Sequence, residues 1–167
     1  MTGEISLKVA GKEILRKSNI RVNYSVLALM EAANSGSDFA HRLAWGTGLG
    51  TGSLVLPEAP SIEGESLRNE LGRVATTKTF LDLAGAEGDT ITDGVLSNKL
   101  NVSATIPLAD SSALLTEFAL FGGADAVNPN DGYMIAWVTI PAYDNQTSPE
   151  DLTIDWVLKF ANSEVEA

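Results

Sequence analysis

Trp45-Gly46-Thr47-Gly48-Leu49-Gly50-Thr51-Gly52 is the stretch whose residue types come closest to a phosphate-binding loop. A dinucleotide fingerprint needs Gly-x-Gly-x-x-Gly running into a helix, so that the pyrophosphate meets the helix N-terminus. Here the third glycine position holds Thr51 in the register from Gly46 and Ser53 in the register from Gly48. No Lys-Ser or Lys-Thr follows, so the Walker pattern is missing, and Leu54-Val55-Leu56-Pro57 is no helix start. The glycines therefore read as a strand exit where the chain needs positive φ or close backbone packing.

The other reactive groups are sparse. His41 is the only histidine and lies in an alternating run with Leu43 and Trp45, which reads as a half-buried strand residue rather than a general base. No Gly-x-Ser-x-Gly elbow occurs. Among 22 acidic residues some carboxylates must lie close together, but no local context marks a glycosidase pair. Asp125, Asn128, Asn130 and Asp131 make an oxygen-rich stretch ending at Gly132. Its spacing is not that of a calcium-binding EF-hand, and Asn-Pro-Asn-Asp-Gly is itself turn chemistry. Trp45, Trp137 and Trp156 could in principle stack on a sugar, but each sits in a strand-like run. No catalytic, cofactor or metal residue is assigned.

The elements that position these groups are mostly strands. Residues 5–9 and 13–16 read as a hairpin turning at Ala10-Gly11-Lys12. Residues 25–34 are rich in helix formers, can be capped by Asn23 or Ser25, and predict the one short N-terminal helix. Residues 74–81, 99–106, 116–121, 133–140 and 152–160 read as strands. In the last of these Leu152, Ile154, Trp156, Leu158 and Phe160 share one face. Residues 133–140 are apolar on both faces, as a strand covered on both sides requires. The expected fold is mainly β, an antiparallel β-sandwich or small barrel, as one domain over 1–167 with flexible ends at 1–4 and 162–167.

Composition narrows the function classes. The 167 residues are 44% hydrophobic and 20% charged, with a net charge of −11. Such a surface repels nucleic-acid backbones and anionic membranes. With no cysteine, thiol catalysis, thiolate metal sites and disulfides are excluded.

The order of the motifs is itself a pattern. Leu43-Ala44-Trp45-Gly46-Thr47-Gly48 comes first, then Leu67-Arg68-Asn69-Glu70-Leu71-Gly72-Arg73 and Glu117-Phe118-Ala119-Leu120-Phe121. Thr153-Ile154-Asp155-Trp156 closes it. From about Asn19 to Phe160 this resembles a widespread family of small tailed-bacteriophage virion proteins and tail-fibre-associated domains. The resemblance implies a non-enzymatic structural component of the virion, assembled in the host cytoplasm. It would act as a tail, baseplate, fibre-associated or collar adaptor, as a homo-oligomer among other virion proteins. Capsid decoration on the head is the alternative, and a carbohydrate-binding module using Trp137 or Tyr143 is the weaker one. Trp45, Gly46, Gly48, Glu70, Arg73, Glu117 and Trp137 are the structural and interface candidates, with Glu70 or Glu117 expected to pair with Arg68 or Arg73 across the Gly-Thr-Gly turn.

Overall fold

The structure, a computed structural model, describes residues 2–21, 32, 39–47, 66–81, 87–88, 99–107, 114–123, 126–129, 131–144 and 150–159. They form β1 (Thr2–Val9), β2 (Lys12–Arg21), β3 (Arg42–Gly46), β4 (Glu70–Ala75) and β5 (Thr77–Leu81). β6 (Glu87–Gly88), β7 (Lys99–Ile106), β8 (Leu114–Gly122), β9 (Tyr133–Asp144) and β10 (Leu152–Lys159) follow. The strand order is β4-β3-β8-β9-β2-β1-β10-β7-β5-β6, with every pairing antiparallel.

This row divides into two sheets that share β2. Its first part pairs with β1 from Lys12 to Asn19, and its end pairs with β9 through Ile20↔Trp137 and Arg21↔Ala136. The apolar faces of both sheets meet in one core cluster, giving a sandwich-like arrangement. β10 shows why its sequence forms this element: Leu152, Ile154, Trp156 and Leu158 are fully buried while Thr153, Asp155 and Val157 between them are half-buried. Each fully buried Leu, Ile or Phe contributes roughly 1.5–3 kcal/mol of transfer free energy.

The β1–β2 turn is a two-residue loop with both φ values positive, 48° at Ala10 and 75° at Gly11. That sign pattern matches the twist of the flanking strands. Thr2–Val9 is laddered to β10 along its whole length, so the expected flexible end at 1–4 is strand from Thr2 onward.

Two expectations need revision or fall elsewhere. The single strand over 74–81 is two strands in different sheets, because β4 pairs with β3 and β5 pairs with β7. The chain changes sheets at Thr76, whose hydroxyl donates to the Ala40 carbonyl (2.7 Å) and whose N–H donates to the His41 carbonyl (3.1 Å). The helix expected over 25–34 lies outside the described residues apart from Ala32, and no helical element is defined among the described residues.

Candidate functional site

The second sheet has an outer face as well as a core face, and three of the four quoted motifs converge there. On it Ala44, Leu67, Ala119, Phe121, Ala126, Met134 and Trp137 form a second apolar cluster. β9 is thus covered on both sides, and Met134 to Ile140 are all buried.

Glu117 lies on this same face, fully buried. Its Oε1 accepts the backbone N–H of Arg68 (3.0 Å) and of Asn69 (3.3 Å). The Asn69 carbonyl in turn accepts the Thr47 N–H at 3.0 Å. One carboxylate thereby pins the 66–69 segment onto the sheet, and Leu67 is buried beneath it. Gly46 permits this approach, since a Cβ there would stand 2.5 Å from the Asn69 carbonyl oxygen and 2.9 Å from Glu117 Oε1. Burial pushes the Glu117 carboxyl above its ordinary value, against the lowering effect of the two backbone donors, the Trp137 indole and the Arg68 charge. Glu117 Oε2 and Trp137 Nε1 each lack a partner of good hydrogen-bond geometry.

Arg73 and Glu70 form the second half of the clamp. Arg73 Nε donates to Glu70 Oε1 and Nη2 to Oε2 (2.9 Å), a fork-on-fork pair with side chains only 2% and 3% exposed. Arg73 Nη1 donates to the carbonyls of Ala126 (2.9 Å) and Asp131 (2.7 Å), and the guanidinium lies 3.9 Å from the Phe121 ring centroid. Of the oxygen-rich stretch weighed for calcium, Asp125 and Asn130 lie outside the described residues, and the Asp131 carbonyl accepts from Arg73. Among the described residues no group of three His, Cys, Asp or Glu side chains could hold a metal ion.

Sharing a face requires a break in strand parity. Residues three apart on a regular strand point to opposite faces. In β4 the register steps from Trp45↔Gly72 to Gly46↔Glu70, leaving Leu71 as an extra bulged residue. The bulge returns Glu70 to the Arg73 side. Gly72 is part of the same device: a Cβ there would lie 2.5 Å from Trp45 Cζ2, so the Trp45 ring packs where a side chain would be.

The sequence candidates are therefore distributed as follows. Gly46, Glu70, Arg73 and Glu117 meet in the clamp, Trp45 packs beneath it on the core side, and Trp137 flanks Glu117 on the outer face. Gly48 lies outside the described residues. Glu70 pairs with Arg73, but within β4 rather than across the Gly-Thr-Gly turn, and Glu117 binds the backbone of Arg68 and Asn69. Of the aromatics weighed for sugar stacking, Trp45, Trp137 and Trp156 are 2%, 5% and 0% exposed, whereas Tyr143 is half-buried. Gly72, Phe121 and the carbonyls of Ala126 and Asp131 were not among the candidates. Only the pairing register identifies them, although the small residue between Leu71 and Arg73 was a visible signal.

Set against family models, curated proteins and solved structures, the chain matches none.

Proposed function

We propose that this chain is a non-enzymatic structural component of a tailed-bacteriophage virion. It would serve as a tail, baseplate, fibre-associated or collar adaptor and work as a homo-oligomer in a β-sandwich fold. The observation that carries this reading is the convergence of three of the four resembling motifs on one clamp. The Gly-Thr turn supplies Gly46 and Thr47, the second motif supplies Arg68, Asn69, Glu70 and Arg73, and the third supplies Glu117 and Phe121. Apart from Glu117 Oε2, the carboxylate and guanidinium atoms of Glu70, Arg73 and Glu117 engage one another or backbone. Both Glu70 oxygens and the Arg73 fork are engaged, so these groups fix chain geometry rather than meet a substrate. A motif set that specifies a fold without a reactive centre suits a protein whose work is repeated assembly.

Immunogold labelling of intact particles tests the proposal. Label on tail, baseplate or collar supports it; label over the head favours the capsid-decoration alternative. A chain that never co-sediments with particles contradicts both.

A further inference from the structure

The two carboxyl groups of the outer face are held in opposite ways. Both oxygens of Glu70 meet Arg73, a full counter-charge. Glu117 is 0% exposed, and the two N–H groups it accepts both fall on Oε1. Oε2 is buried with no partner of good geometry, and so is the Trp137 indole nitrogen beside it.

The strand register shows what faces this carboxyl. Gly46 of β3 and Thr139 of β9 stand directly opposite it, and Glu70 of β4 lies one strand further, beyond Gly46. The charged groups facing Glu117 from these elements and from the 66–69 segment are Arg68 and, beyond Gly46, Glu70 with its Arg73 partner. Lys17 of β2 gives its Nζ to the Thr139 carbonyl at 2.6 Å. Arg68 favours the ionised carboxyl, but burial outweighs it.

A neutral carboxyl accepts both N–H groups on one oxygen without burying a charge. An ionised one buries a charge whose second oxygen has no well-placed donor. The strain is relieved where the covering piece of chain is held by few bonds. The 66–69 segment is such a piece: Arg68 and Asn69 are exposed, and Leu67 is its buried anchor in the second apolar cluster. We propose that Glu117 is a pH-sensitive latch, which when neutral holds the 66–69 segment on the sheet and when ionised lets it lift so that water reaches Oε2. The Thr47–Asn69 hydrogen bond and the seat of Leu67 open with it, baring part of the outer apolar cluster.

Hydrogen exchange of backbone N–H groups in the full chain tests this, followed by NMR from the ordinary carboxyl value of 4.5 upward, with and without a low concentration of denaturant. The N–H groups of Thr47, Arg68 and Asn69 are expected to open locally, more often than those of Val102 and Ile154 in β7 and β10, and without response to the denaturant. Corrected for intrinsic exchange, their opening constant is expected to rise roughly threefold or more with pH, and to level off where NMR of the Glu117 side-chain carboxyl shows it titrating. Glu117→Gln, which keeps the acceptor, is expected to hold the constant flat. Three N–H groups that open only together with Val102 and Ile154, or whose opening ignores pH, overturn the latch. So does a Glu117 carboxyl that titrates at or below 4.5, or a folded Glu117→Gln protein with the wild-type pH dependence. Should Glu117→Gln fail to fold, the wild-type opening and titration curves decide alone.

Discussion

Glu13-Ile14-Leu15-Arg16 and Glu70-Leu71-Gly72-Arg73 are the same device in two settings. In each, a bulged aliphatic residue brings a Glu and the Arg three positions later onto one face, where they pair. The β2 copy lies in water, with Arg16 57% and Glu13 37% exposed, and Arg16 also reaches Glu4. The β4 copy is closed over by the second apolar cluster and the turn at Ala126, leaving 2% and 3% exposed. The same Glu–bulge–Arg chemistry thus gives a solvated surface network on β2 and a fold-fixing clamp on β4. Burial decides which, because desolvation raises the penalty for a missing partner far above what the same pair is worth in water.

The sharpest way to break this comparison is to remove each arginine. Arg73→Ala leaves Glu70 buried without its counter-charge and strips a donor from two carbonyls, and is expected to cost about 4 kcal/mol by denaturant unfolding. Arg16→Ala is expected to leave the unfolding midpoint unmoved within error, since water replaces the partner. Next in size is Glu117→Ala, which orphans the N–H groups of Arg68 and Asn69 and is expected to cost about 3 kcal/mol. Gly72→Ala sharpens the structural side: its Cβ would enter the Trp45 ring, for an expected loss of about 2 kcal/mol.

The smallest effects are pH-dependent and run in opposite directions at Glu117 and Glu13. Burial raises the Glu117 carboxyl, so its favourable contribution is complete below the ordinary carboxyl value and is lost as pH rises through the raised one. Glu117→Gln keeps an acceptor for both N–H groups and is expected to flatten stability above the ordinary carboxyl value of 4.5 relative to wild type. Glu13 behaves oppositely. Arg16 and Ser6 hold it down at about 2, so its contribution is present above the ordinary value of 4.5 and is lost as pH falls toward 2. Glu13→Gln is expected to change only that acid limb of a pH–stability profile, and slightly, because the pair is solvated.

Legibility in the sequence followed how local the determining forces were. β10 was readable residue by residue, because one face meets the core and the period of two survives uninterrupted, and β7 follows it except at the buried Asn101. β4 was not: its bulge at Leu71 and the sheet change at Thr76 are set by partners from Ala40 to Gly46, distant in sequence. The same holds for the clamp. Glu70, Arg73 and Glu117 stood out as charged residues inside apolar motifs, but nothing local told which would pair and which would hold backbone. The likeness between residues 13–16 and 70–73 was present in the sequence, yet it gains meaning only once both bulges are seen.

The most direct test is a pair of double-mutant cycles, Glu70→Gln with Arg73→Met and Glu13→Gln with Arg16→Met, read by denaturant unfolding at matched salt. The account predicts a coupling of about 3 kcal/mol for Glu70–Arg73 and none resolvable for Glu13–Arg16. Equal coupling at the two pairs would contradict it.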